Sequence, residues 1–345
     1  MSEYNPSDVG RTNTGIFGLP HNEPESGVIC IPVPWDVTTS DSSGTATGPQ
    51  AILDASPHLD LYHPLAPKGW EIGIVMRPEG TEWQQQNRTH RIQAERVFTA
   101  QEGGTSYPEM TQDLNDINQA GDALNEWVHD QVQSVLDESK IPFVIGGDHS
   151  VSFGAIQAAI EDQPDLGVLQ IDAHMDLRES YAGMTNSHAS VMANIVAKTD
   201  LKQLTQIGVR DYCEEEVDFA KSHQGRLTTF FDRDIKSALL QGEASWSDVC
   251  QSISNTLPKY IYITLDIDGL NPSLCPNTGT PVPGGVDWGE FTYLVELLVQ
   301  KGHVIVAGDV VEVTPGKDSD WDGNVGARAI YQLAIAAALS QKKLS

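Results

Sequence analysis

Short apolar runs alternating with longer stretches of helical spacing are what most constrains this chain. The runs fall at 28–33, 71–75, 142–145, 167–171, 204–209, 227–231, 260–265 and 304–307. Most are continuously apolar and rich in β-branched residues, as strands covered on both faces require. Between two of them, 118–138 sets Ala120, Leu124, Trp127, Val128, Val132, Val135 and Leu136 at helical spacing. Comparable patterns occupy 151–159, 189–197, 214–222, 246–256, 288–301 and 326–339, and 84–97 reads as partly helical ahead of a loop at 103–108. Such alternation, unbroken by a central Gly/Ser linker, predicts one α/β domain around a parallel sheet, here 26–345. The first 25 residues, rich in Asn, Gly, Pro and Ser, read as an extended arm.

Charge narrows the choice of partners. The 345 residues carry 21 Lys+Arg against 48 Asp+Glu, a formal net charge of −27. A field that acidic repels phosphate backbones and anionic lipid and draws in cations, so neither nucleic acid nor a membrane is an expected partner. No run approaches the roughly 20 apolar residues of a membrane span. The N-terminus also lacks the basic and apolar parts of a secretory signal. Cys30, Cys213, Cys250 and Cys275 are scattered, with no CxxC pair, so a cytoplasmic protein without disulfides is expected.

In parallel α/β sheets, ligands gather beyond the carboxyl ends of the strands. Three apolar runs here lead straight into His and Asp: Gly146-Gly147-Asp148-His149-Ser150, Asp172-Ala173-His174-Met175-Asp176 and Asp266-Ile267-Asp268-Gly269. The i, i+2, i+4 spacing of Asp172, His174 and Asp176 puts all three on one side of an extended backbone. Pooled with His149, Asp266 and Asp268, they make two imidazoles and four carboxylates. Four converging carboxylates without a cation would repel strongly. An oxygen-rich set with two imidazoles and no thiolate suits two divalent ions, Mn²⁺ first, with Ni²⁺, Co²⁺ or Fe²⁺ also compatible. A metal pair about 3.5–4 Å apart activates water for hydrolysis.

These three segments, in this order and spacing, resemble the metal motifs of the ureohydrolases, the family of arginase, agmatinase, guanidinobutyrase, formimidoylglutamase and guanidine hydrolase. The stretch from Thr278 to Gly285 resembles the loop that follows the third motif. The resemblance implies a three-layer α/β/α sandwich on a parallel eight-stranded sheet, assembled as trimers or hexamers. It implies that His149, Asp172, Asp176 and Asp266 hold one metal, and His174, Asp172, Asp266 and Asp268 the other. His188, in Asn186-Ser187-His188, matches a histidine that moves a proton to the leaving amine, and Glu312 matches a glutamate that pairs with the guanidinium. A carboxylate suits that task because it accepts two parallel N–H bonds. Hydroxide between the metals would then attack the guanidino carbon and release urea.

The substrate is less sharply written. Gly208-Val209-Arg210-Asp211-Tyr212-Cys213 has Cys213 where arginase has an acid, and Leu177 to Tyr181 departs from arginase's substrate loop, which counts against L-arginine. Arg178 resembles a position of formimidoylglutamases where a cation would hold a substrate carboxylate, unless Glu179 neutralises it. Trp35 and Asp36, before a loop resembling the family's N-terminal substrate loop, would help enclose a small cation. Together these favour a guanidine hydrolase-like or agmatinase-like member over formimidoylglutamase or arginase. A one-zinc deacetylase needs neither the sixfold ligand set nor Glu312, and a metal-binding scaffold would have no use for His188. Asp318 to Gly323 opens like a calcium loop but has Ala329 where a bidentate Glu belongs, so it reads as an acidic loop near the site entrance. Asp148 reads as a structural residue beside the ligands.

Overall fold

The computed structural model describes residue 5 and residues 15–40, 43–104 and 110–344. Its eight strands are β1 (Val28–Val33), β2 (Ile74–Met76), β3 (Ile141–Gly146), β4 (Leu166–Ile171), β5 (Gln203–Ile207), β6 (Leu227–Phe230), β7 (Tyr260–Asp266) and β8 (Val304–Val311). They form one sheet in the order β2-β1-β3-β8-β7-β4-β5-β6, with every pairing parallel. Parallel strands need crossovers, and the helices that supply them cover both faces.

Strand residues alternate between two cores. Val28, Cys30, Phe143, Ile145, Leu169, Ile171, Ile263 and Leu265 point to one face. That face is packed by α1 (Gly48–Ala55), α8 (Trp246–Thr256), α9 (Trp288–Gln300) and α10 (Trp321–Ser340). Ile29, Ile31, Val144, Val168 and Tyr262 point to the other, under α2 (Thr81–Glu102), α3 (Thr111–Asp137), α4 (Ser152–Asp162) and α5 (Val191–Lys198). The result is the three-layer sandwich that the family resemblance implied. The helices α6 (Glu214–Ser222) and α7 (Asp232–Gln241) complete the set. Among the described residues no helix is long and apolar enough to cross a membrane.

Several boundaries move. The run expected at 71–75 begins as a 3₁₀ turn, Gly69–Ile72, and pairs with β1 only from Ile74. The helix expected from 118 starts at Thr111, and 84–97 extends to a full helix, Thr81–Glu102, that buries Trp83, Ala94 and Val97. α1 is opened by Pro49 at a position where the missing N–H costs nothing. α7 is closed by Gly242 in the left-handed region. Both are short, eight and ten residues, so spacing alone misses them. Of the expected arm, 1–4 and 6–14 lie outside the described residues, as does most of the loop at 103–108. Ile16, Phe17 and Leu19 are buried, with the Phe17 ring 5.3 Å from that of Tyr331.

Candidate metal centre

β3, β8, β7 and β4 are neighbours at the middle of the sheet, and each delivers its chemistry-bearing residues at its carboxyl end. The loops cross closely there. A Cβ on Gly147 would lie 1.7 Å from the Trp35 carbonyl oxygen, and one on Gly269 2.4 Å from the Asp172 nitrogen, so only glycine fits. The carboxylates tie down their own loops: Asp172 Oδ1 accepts from His174 N (2.6 Å) and Asp266 Oδ1 from Asp268 N (2.9 Å). Asp176 and Glu312 hold left-handed backbone, φ 54° and 63°. Strain of that kind persists only where the surroundings fix it. For Asp176 they do so through Met192 N and Ala193 N, which donate to its carbonyl at 3.1 and 3.0 Å, and for Glu312 through its own N–H, which donates to Gly147 O at 2.8 Å.

Five of the six expected ligands come together in two groups of donor atoms, and the sixth, Asp176, lies against His149 of the first. His149, Asp172 and Asp266 form one, and Asp172, His174 and Asp268 the other, the atoms of each lying within 4.8 Å of one another. His149 Nδ1 faces Asp172 Oδ2 at 3.1 Å, Asp176 Oδ2 at 3.0 Å and Asp266 Oδ2 at 3.3 Å. His174 Nδ1 lies 3.1 Å from Asp268 Oδ2 and 3.5 Å from Asp172 Oδ1. Asp172 therefore turns one oxygen to each imidazole. The four carboxylates and His149 are buried, while His174 is half-buried.

The electrostatics fit divalent cations. Burial first, then the negative charges of Asp268 and Asp172, push the Asp266 carboxyl well above the ordinary range. Burial and Asp172 bring Asp176 to about 7. Against the cost of burial, the surrounding carboxylates hold a proton on His149 and on His174 well beyond the usual imidazole range. The acids thus draw positive charge to this point, where His149 Nδ1 faces three carboxylate oxygens. Oxygen-rich donors with two imidazoles suit a pair of hard to borderline divalent ions.

A prediction follows for the metal-free protein. Carboxyls and imidazoles whose folded pKa is raised make the native state hold more protons than the unfolded chain, so stability falls as pH rises. With Asp148 brought to about 6, Asp176 to about 7 and Glu312 to about 8, the fall should span pH 5 to 8. Calorimetry should show the chelator-treated protein melting ~5 °C or more lower at pH 8 than at pH 5, and Mn²⁺ raising the midpoint most at pH 8. Equal midpoints at both pH values without metal would contradict this electrostatic picture.

His188 and Glu312 lie beside the cluster. His188 Nδ1 is 3.6 Å from Glu312 Oε1, and its Nε2 is buried with no partner. Burial lowers the His188 pKa, favouring the neutral ring. Glu312 Oε1 accepts from His149 N (2.9 Å), and burial pushes its carboxyl up to about 8. Thr38, not singled out from sequence, joins three loops: its N–H and hydroxyl donate to Asp148 Oδ2 at 2.9 and 2.8 Å, and its Oγ1 accepts from His188 N at 3.0 Å. Ser150 donates to the other Asp148 oxygen, so Asp148 is committed to the loops and not to the cluster.

A cavity of ≈ 230 Å³ opens over the cluster, bordered by His174, Asp176, Asp266 and His188 below and by Arg178, Tyr181 and Tyr212 among its walls. Glu312 does not border it directly. Arg178 finds Glu216 (3.9 Å) and the face of Tyr181 (5.5 Å), where the sequence had suggested Glu179 as its partner. Trp35 and Asp36 do not enclose this cavity. Trp35 is a core residue against Trp83, and Asp36 accepts from Asn87 Nδ2 (2.9 Å) and Gly44 N (2.8 Å). None of residues 318–323 borders it either. Asp322 is buried and accepts from Asn277, Ala329 sits inside α10, and Asp320 borders a separate groove.

The chain is similar to known proteins over nearly its whole length. The arginase family model matches residues 26–338. An N(1)-aminopropylagmatine ureohydrolase of Synechocystis sp. is 27% identical over 322 residues, covering 92% of each chain. The agmatinase of Bacillus cereus is 27% identical over 298 residues, covering 85% of this chain and 86% of its own. The crystal structure of an agmatine ureohydrolase of Thermoplasma volcanium superposes with a TM-score of 0.72 at 22% identity, covering 96% of this chain and 97% of that one. The family match takes in every strand of the sheet and all six clustered His and Asp residues, and the chain belongs to the arginase family, the ureohydrolases, which hydrolyse C–N bonds in amidines.

Proposed function

We propose that this chain hydrolyses the guanidino group of a small cation and releases urea, using two divalent ions. The observation that carries this reading is the pair of donor groups sharing Asp172 at the ends of the central strands. His149, Asp172, Asp176 and Asp266 would hold one ion, and His174, Asp172, Asp266 and Asp268 the other, with Mn²⁺ favoured and Ni²⁺ compatible. Bound there, such ions supply a nucleophile from water at neutral pH and polarise the group under attack. The chain's own residues do the rest. Glu312, buried next to His188 and not itself lining the cavity, would offer its carboxylate to a guanidinium that enters deeply enough to reach it, and so orient the carbon. His188, neutral and with a free Nε2, is placed to carry a proton to the departing nitrogen, which otherwise leaves poorly as an anion.

The cavity of ≈ 230 Å³ has room for a small substrate over the cluster. Arg178, paired with Glu216, has less charge to spare for a substrate carboxylate, which favours guanidine or agmatine over formimidoylglutamate. The names of the agmatinase and aminopropylagmatine relatives support a cationic substrate as well. The test is urea or product release from arginine, agmatine, guanidine, guanidinobutyrate and formimidoylglutamate after reconstitution with Mn²⁺ and separately with Ni²⁺. Turnover of guanidine or agmatine is expected. No turnover across the panel with either metal would leave a metal-binding scaffold in its place. We also propose a trimer or hexamer, which light scattering distinguishes from a monomer.

A further inference from the structure

Five neighbouring strands each place one polar residue on the same row of the sheet, in a core that is otherwise apolar. Thr229 on β6, Gln206 on β5, Gln170 on β4, Thr264 on β7 and Asp309 on β8 stand in register. Gln206, Gln170, Thr264 and Asp309 are fully buried. Gln170 and Thr264 lie two residues before Asp172 and Asp266, on the same side of their strands. Buried amides, hydroxyls and carboxyls are tolerated only when satisfied, and these satisfy one another.

The row divides into two arms, and both end on the His149 group. In the first, Thr229 Oγ1 donates to Gln206 Oε1 (2.7 Å), and Gln206 Nε2 donates to Gln170 Oε1 (2.7 Å). Gln170 Nε2 then donates to Asp172 Oδ2 (2.6 Å), the oxygen that faces His149. The Asp172 carboxylate and the Met175 carbonyl, which only accept, fix which way each amide faces. Gln206 Nε2 also donates to the carbonyl of Met175 (2.7 Å), at the peptide leading into Asp176.

In the second arm, Thr264 Oγ1 donates to Asp309 Oδ1 (2.6 Å), and Tyr262 Oη donates to Asp309 Oδ2 (2.7 Å). With its single proton committed, the Thr264 oxygen accepts from His149 Nε2 at 2.8 Å. That places one ring proton on Nε2 and makes Nδ1, which faces Asp172, Asp176 and Asp266, the nitrogen that would turn its lone pair to a bound ion. His174 has no comparable support among the described residues: its Nε2 lies 4.0 Å from the exposed Asp211.

We propose that this buried polar row is the positioning layer of the His149 group, and that Thr264, Asp309, Gln170 and Gln206 set the affinity of that group for its divalent ion while leaving the His174–Asp268 group largely alone. The inference rests on the two-metal reading above. The residues act through His149 and Asp172 and are positioning residues; none of them need touch substrate. Outer hydrogen-bond partners of this kind commonly change metal affinity by 10–100-fold.

The test is calorimetric titration of metal-free protein with Mn²⁺. Wild type should show two binding events. Thr264→Val, which keeps the shape and removes the hydroxyl, should weaken one event by about 10–100-fold and leave the other within about threefold. Gln170→Leu, which acts through the Asp172 oxygen that faces His149, should weaken the same event more than the other, and Thr264→Ser should keep that event near its wild-type affinity. Asp268→Ala, which removes a donor of the other group only, should retain the event that Thr264→Val weakens. Parallel weakening of both events, or a lowered melting temperature with both affinities unchanged, would overturn the role of the row. Should Asp309→Asn fail to fold, the Val and Ser variants at 264 still decide. A wild type that binds no Mn²⁺ would defeat the two-metal reading itself, and the row's role with it.

Discussion

Asp172→Ala is expected to lose both divalent ions and to reduce turnover at least about 10³-fold. Its two oxygens face the two imidazoles, Oδ2 at 3.1 Å from His149 Nδ1 and Oδ1 at 3.5 Å from His174 Nδ1, so one side chain serves both donor groups. Removing a hydrogen-bond partner of a ligand costs about 10–100-fold in metal affinity, and removing a shared ligand must cost more. The variant also leaves His149 and Gln170 facing a vacated, buried position. Asp268→Ala is the informative contrast. Asp268 belongs to the His174 group alone, so about one ion per chain should remain, with activity still abolished. Elemental analysis of folded protein beside a urea assay reads both outcomes. Two ions retained by Asp172→Ala would refute its place at the centre of the cluster, and two retained by Asp268→Ala would remove that residue from the ligand set.

The legible part of this molecule is the part written in local periodicity. Strands buried on both faces announce themselves as unbroken apolar runs, and a His or Asp directly after such a run is visible because the residue type changes abruptly. The three metal motifs could thus be pooled without knowing the strand order. What periodicity cannot carry is which strands lie side by side: β3, β8, β7 and β4 become neighbours only through long crossovers. The partner of Arg178 and the inward role of Asp36 were out of reach for that reason, since Glu216 and Asn87 are 38 and 51 positions away in the chain. The polar row escaped notice because Gln170, Gln206 and Asp309 look like isolated lapses in apolar strands until register brings them together. A polar residue two positions before a ligand on the same strand was the available signal, at Gln170 and at Thr264.

Glu312→Gln separates binding of the substrate cation from binding of metal. The glutamate stands in left-handed backbone at the end of β8, held by its N–H on Gly147 O and by Thr278, whose hydroxyl donates to the Glu312 carbonyl at 2.8 Å. Glutamine keeps that shape, and its amide oxygen can go on accepting from His149 N, as Glu312 Oε1 does at 2.9 Å. The other terminus then presents an NH₂ where a guanidinium expects an acceptor, so donor meets donor and the charge attraction is lost. Breaking one side of a buried, hydrogen-bonded ion pair costs about 2–5 kcal/mol, which corresponds to roughly 30-fold to several thousandfold in kcat/KM. Two ions should still bind, because Glu312 is in neither donor group. The melting temperature should hold or rise, since the variant removes a carboxyl that burial already disfavours. Steady-state kinetics with the substrate found in the panel, beside metal analysis, decides the matter. Normal kcat/KM would place the guanidinium away from Glu312, and loss of metal would instead make Glu312 part of the support for His149.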